Sequence, residues 1–197
     1  MISQLVPLIL FGIAAGFSPG PNNIMTSYTA FNFGIKKAIP TMLGVILGWT
    51  LLIILLQLTS VAVFQRFEYT QTVIKALGTI YLLFIAYKIS SAGHAAEKKI
   101  HPKPVTFLNT FFFQFVNPKS IIVGLAAISM FIDVQNNYLR DSIILTVVFF
   151  FMAVGSQTAW CLTGKYMRKF ATTDRFIQNF NYSMSFLLIV CVILFYV

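Results

Sequence analysis

Two short clusters hold the side chains best suited to chemistry in this chain: Ser18-Pro19-Gly20-Pro21-Asn22-Asn23 and Gln114-Phe115-Val116-Asn117-Pro118-Lys119. Each sets proline beside side-chain amides inside a long apolar run, and Gln157 adds a further amide in a later run. Asparagine and glutamine donate and accept hydrogen bonds without carrying charge, and Lys119 contributes one ammonium. This set suits non-covalent recognition of a zwitterion, with the lysine against a carboxylate and amides and carbonyls around an ammonium. Pro19, Pro21 and Pro118 cannot donate to a helix ladder, so each cluster also frees backbone carbonyls and amides. Within hydrocarbon such groups survive only where protein covers them or where they line a polar cavity.

The elements that position these clusters are apolar almost throughout. The chain has 197 residues, of which 58% are hydrophobic and 10% charged, with a mean hydropathy of +0.82. Apolar runs near residues 4 to 31, 40 to 63, 70 to 89, 107 to 132, 142 to 163 and 177 to 197 each approach the ~20 residues that cross a bilayer. This pattern predicts an all-α membrane protein of about six transmembrane helices in a single transporter domain, with no room for a soluble one. The polar stretch about 90–106 divides it into repeat one, about 1–89, and repeat two, about 107–197. An odd number of spans per half inverts the halves, and each half opens on a broken helix, as in transporters whose site lies between inverted repeats. Gly12, Gly16 and Gly20 share one helix face, and Gly44 and Gly48 repeat the device. These faces predict close helix packing, within one chain or in a homodimer.

The formal charge of +9 comes from basic residues spread by loop, which excludes a nucleic-acid patch and reads as topology. Lys36 and Lys37, then Lys88, Lys98, Lys99 and Lys103, then Lys165, Arg168, Lys169 and Arg175 mark loops one, three and five as cytoplasmic. Arg66 and Arg140 mark loops two and four, so both termini are expected outside the cell. With Lys36 as the first lysine, no basic leader region precedes the first run, and that span is expected to be retained. The two cysteines, Cys161 and Cys191, lie singly in the last two runs, where they fit packing. A membrane thiol-redox protein passing electrons between them is the rival from another class, although no C-x-x-C pair accompanies them. His94 and His101 fall among loop lysines; no metal site and no cofactor is expected.

Lys119 lies about 12 residues past the inner end of its run, roughly 18 Å along a helix, beyond easy snorkelling. Its charge needs a wet cavity, a substrate carboxylate, or the carbonyls freed at Pro118. For Gln157, substrate contact and helix-to-helix bonding stand equal.

Gly16-Phe17-Ser18-Pro19-Gly20-Pro21-Asn22, followed by Gly34, Gly44 and Gly48, resembles the first signature of the LysE/RhtB-type amino-acid exporters. The segment from Phe111 to Lys119, FFFQFVNPK, resembles the second. The likeness extends to length and span count and covers essentially the whole chain. Through PGPNNI, LGVILGW, KPVTF, QFVNPK and AWCLTGK it is most similar to the branch that exports cysteine and O-acetylserine. Family exporters of basic amino acids tend to carry an acidic residue after the second-span glycine pair, where Trp49 and Thr50 stand here. The resemblance therefore implies outward secondary transport of small neutral amino acids across a bacterial inner membrane by alternating access. Threonine, homoserine or basic amino acids are the alternative cargo. By physical type and by their places at or near the breaks, Pro19, Gly20, Pro21, Asn22, Asn23, Gln114, Asn117, Pro118, Lys119 and Gln157 form the candidate substrate site, about which the two halves rock; the amino acid and the lipid bilayer are the partners.

The topology can be tested with single cysteines in a background lacking Cys161 and Cys191. From outside the cell a membrane-impermeant maleimide should label Arg66→Cys and spare Lys98→Cys; the opposite pattern would invert the assignment.

Overall fold

A computed structural model describes residues 5–59, 68–92, 103–133, 137–171 and 173–194. Among these, eight α-helices and no strands occur: α1 (Leu5–Phe17), α2 (Pro21–Phe33), α3 (Ile35–Leu58), α4 (Glu68–Ala92), α5 (Phe107–Phe113), α6 (Pro118–Phe131), α7 (Tyr138–Lys169) and α8 (Asp174–Leu194). A 3-10 turn, Gln114–Val116, extends α5. Calls made on Arg66, His94, Lys98, Lys99 and His101 lie outside the described residues.

Both proline clusters break their helices. The chain bends by 55° between α1 and α2 and by 59° between Phe107–Val116 and α6. In each case the second piece opens with proline at its first turn, Pro21 or Pro118, where the missing N–H has no partner to lose. Asn117 caps α6 with its side chain, whereas Gly20 precedes α2 without a side-chain cap.

Helix ends differ from the apolar runs. α3 begins at Ile35 and continues through Pro40, because a proline so near the start removes only one ladder bond. Loop one thus shrinks to Gly34, whose φ of +81° with ψ of 170° only glycine adopts freely. Lys36 and Lys37 ride on α3. Arg140 at one end of α7 and Lys165, Arg168 and Lys169 at the other are helical too, since charged ends can project past hydrocarbon while the ladder continues. By length and apolarity α3 and α7 can each cross a membrane, and each bent pair can count as one further span. α4 and α8 have spanning length, 25 and 21 residues, but open on the polar Glu68 and Gln71, and Asp174, Arg175 and Gln178.

The packing exchanges partners between halves. α1 and α2 lie against α7, α5 lies against α3, α3 meets α7, and α4 pairs with α8. One apolar cluster gathers Leu8, Trp49, Ile53, Ile121, Phe131, Leu145 and Phe149 from α1, α3, α6 and α7. A second gathers Ile24, Tyr28, Leu82, Ile85, Phe113 and Leu188 from α2, α4, α5 and α8. Each broken helix therefore passes from one cluster to the other at its break, in opposite senses.

Glycine makes the α3 to α5 crossing possible. A side chain at Gly44 would run into Thr110 Oγ1 and the Phe107 carbonyl, and one at Gly48 would lie 2.6 Å from the Phe111 carbonyl oxygen and 2.9 Å from Gln114 Cγ. Backbone atoms cannot move aside as a flexible side chain can. Gly12 and Gly16 face Met152 and Ser156 of α7. All four glycine faces are thus occupied within one chain.

Gly48→Val should lower stability by about 1–3 kcal/mol through overpacking, while Leu47→Val on the exposed face of α3 should change it little. Thermal unfolding of the detergent-purified protein reads both; equal midpoints would refute the crossing.

Candidate functional site

A helix leaves its last carbonyls without partners, and the break after α1 frees more. Side chains claim them one by one. Ser18 Oγ donates to the Ala15 carbonyl at 3.0 Å. Asn23 Nδ2 donates to the carbonyls of Gly16 and Ser18, both at 2.9 Å. Ser156 Oγ donates to the Gly16 carbonyl at 2.6 Å, and the Trp160 indole to that of Phe17 at 3.3 Å. Lys119 Nζ closes the set, at 2.8 Å from Ser18 Oγ and 3.4 Å from the carbonyls of Ser18 and Pro19. The sequence leaves three settings open for Lys119; the structure brings its ammonium to the hydroxyl and carbonyls of the other break.

The second break needs less outside help, because its 3-10 turn tightens the chain. Gln114 Nε2 donates to the Thr110 carbonyl at 2.8 Å, and Asn117 Oδ1 accepts from the Lys119 backbone N–H at 3.2 Å. Asn117 is therefore used as the cap of α6. Between the breaks, Asn22 and Gln114 pair amide to amide, at 2.9 Å and 3.0 Å, and Ser120 Oγ adds a bond to Gln114 Oε1 at 3.1 Å. Gln114 is fully buried, while Asn22 is half-buried at the cavity.

Gln157 joins the same network. It donates to Asn23 Oδ1 at 2.8 Å and accepts from Thr26 Oγ1 at 2.5 Å. α2 carries these groups on a helix whose polar residues Asn23, Thr26, Ser27 and Thr29 are nearly all enclosed, each with a hydrogen-bond partner. Thr26, Ser156, Ser120 and Trp160 join the site beyond the residues expected from sequence, as does the hydroxyl of Ser18, which opens the first cluster. Thr26 follows Asn22 by four, so helical spacing flags it, whereas Ser156 only adjoins Gln157 and spacing gives no sign of it.

A cavity of about 80 Å³ opens to a water-sized sphere between the two breaks. Gly20, Pro21, Asn22, Asn23, Asn117, Lys119 and Gln157 line it, with Ser120, Ser156, Gly12 and Gly16. Val45, Trp49, Val123, Phe149 and Met152 form its apolar side. Pro19, Gln114 and Pro118 do not reach it: Pro19 faces outward, while Gln114 and Pro118 are buried behind the lining. Among the described residues Lys119 is the one charged residue of this lining. Cys161 is buried in α7, and the side chain of Cys191 lies outside the described residues. Among the described residues no three His, Cys, Asp or Glu side chains gather as a metal site would need.

Two helices interrupted at matched places, with a polar cavity between the interruptions, are the arrangement of a membrane transport protein. Residues 13–197 match the family model described as LysE type translocator, and the chain belongs to that family. It is 30% identical over 198 residues to the cysteine/O-acetylserine efflux protein of Salmonella paratyphi A (strain ATCC 9150 / SARB42), covering 96% of this chain and 98% of the relative. It is 26% identical over 184 residues to the cysteine/O-acetylserine efflux protein of Escherichia coli O139:H28 (strain E24377A / ETEC), covering 93% and 92%. No solved structure matches the chain.

Replacing Asn22 and Gln114 with alanine, singly and together, should reveal a coupling of about 0.5–3 kcal/mol in unfolding free energy, as for side chains in direct contact. Additive losses would mean that the amide pair does not tie the breaks together.

Proposed function

We propose that this protein exports small neutral amino acids, cysteine, O-acetylserine or close analogues, from the bacterial cytoplasm by alternating access. The observation that carries this is the cavity between the breaks: one ammonium, a ring of neutral amides and hydroxyls, and an apolar wall of Trp49, Phe149 and Met152. A zwitterion with a short, uncharged side chain matches that division. Among the described residues no Asp or Glu lines the cavity, so a second cationic group on the cargo would meet no countercharge. The names carried by the relatives point the same way.

In this proposal α4 and α8 complete six spans, arranged as two inverted three-helix repeats in the inner membrane with both termini outside. The exchange of partners between α1–α2 with α7 and α5 with α3 is what such a pseudo-twofold arrangement would produce. Lys119 binds the substrate carboxylate, while Asn22, Asn23, Asn117 and Gln157 orient the zwitterion. Pro19, Pro21 and Pro118 keep both helices open beside it, and the two halves rock about the breaks.

Vesicles or cells loaded with labelled cysteine, O-acetylserine, threonine, lysine and arginine test this directly. Efflux should be confined to the neutral amino acids and should fall on the order of a hundredfold in Lys119→Ala, the loss expected for a buried charge-assisted contact. Asn117→Ala should also lose activity while the protein remains in the membrane. Lysine or arginine efflux would overturn the substrate class, and unchanged efflux in both variants would overturn the site.

A further inference from the structure

The oxygens that hold Lys119 form a receptor for a primary ammonium, whichever molecule supplies it. Ser18 Oγ at 2.8 Å and the carbonyls of Ser18 and Pro19 at 3.4 Å converge on one nitrogen. All three lie just beyond the last residue of α1, where the aligned peptide dipoles present their negative end. Gly20 shapes the space: a side chain there would come within 2.9 Å of Lys119 Nζ and 3.3 Å of its Cδ. Gly20 and Lys119 both line the cavity, and Ser18 and Pro19, which do not, directly precede Gly20 in the chain, so the receptor adjoins the cavity beside its wall. The Lys119 backbone is fixed at the first turn of α6 by Asn117 Oδ1, which leaves the four-carbon stem as the part able to swing.

We propose that this is an ammonium seat, which Lys119 fills as a tethered surrogate and which the α-ammonium of an amino acid takes on binding, releasing Lys119 to the carboxylate of the same molecule. The identity of the ligand rests on the exporter reading above. The exchange keeps a cation at the end of α1 before and after binding, and lysine leaves only when a carboxylate arrives to receive it. Neither charge is stranded in an apolar setting. Selection for zwitterions follows: an amine alone would evict Lys119 with no partner to go to, and a carboxylate alone would draw Lys119 away and leave the seat without its cation.

The seat can be probed without transport. Purified Lys119→Ala should unfold at a lower temperature than wild type, and propylammonium chloride should restore its midpoint. Tetramethylammonium chloride at equal concentration, which has no N–H to donate, should not. Wild type should ignore both, its seat being filled, and Ser18→Ala combined with Lys119→Ala should weaken the propylammonium response about tenfold. If Lys119→Ala does not fold, Lys119→Met keeps the apolar stem and serves in its place. Cysteine under reducing conditions should compete with propylammonium for the variant, whereas N-acetylcysteine, whose nitrogen is a neutral amide, should not. Equal responses to the two cations, a wild-type response matching the variant, or no competition by cysteine would overturn the proposal. Competition without efflux in the vesicle assay would leave the seat standing and remove the exporter reading; efflux without any propylammonium response would do the reverse.

Discussion

A helix broken inside an apolar protein must rehome the carbonyls it frees, and this requirement organises the molecule. At the end of α1 the carbonyls from Ala15 to Pro19 are met by Ser18, Asn23, Ser156, Trp160 and Lys119. Those donors come from the break itself, from α2, from α7 and from the opposite break. The long helix α7 must therefore lie where Ser156 and Trp160 can reach α1, and α6 must start where Lys119 can. At the second break Gln114 Nε2 claims the Thr110 carbonyl and Asn117 caps an N–H of α6, both from within the same stretch. There α3 supplies room instead of donors, through Gly44 and Gly48. The two long helices thus answer equivalent problems in different ways.

The polar network at the centre is almost entirely neutral. Asn22 with Gln114, and Asn23 with Gln157, pair amides that can trade one partner for another without moving charge. Among the described residues only Lys119 brings a full charge into the cavity lining, and the dipole end of α1 offsets it. A centre of this kind holds its shape through many modest bonds and concentrates its electrostatic response in one side chain. The two apolar clusters on either side are joined across the breaks, so a rearrangement at the centre reaches both.

Much of this is written locally. Proline beside asparagine announced both breaks, because the missing N–H acts wherever proline sits in a helix. Gly44 and Gly48 announced a close crossing, and the depth of Lys119 announced a polar setting for its ammonium. Helix ends were less legible: α3 and α7 outrun their apolar stretches because a backbone ladder continues through polar residues once neighbours hold it. The freed carbonyls were expected to face a ligand, but most are taken by side chains distant in sequence, as Ser156 is from Gly16. Gln157, balanced between two roles in the sequence, proves to bond helix to helix and to line the cavity at once.

The helical, apolar character of the chain, the breaks in two of its helices and its place among the LysE-type translocators are all read from residues near one another. Composition, proline and motif act at short range, so no tertiary knowledge is needed to read them. Which groups satisfy one another emerges from the packed helices: Lys119 serves the break after α1, Asn22 meets Gln114, and Trp49 walls the cavity. Hydrogen-bond pairing depends on positions set by the packing of every helix together, and residues a hundred places apart carry no mark in the sequence of which partner they will meet.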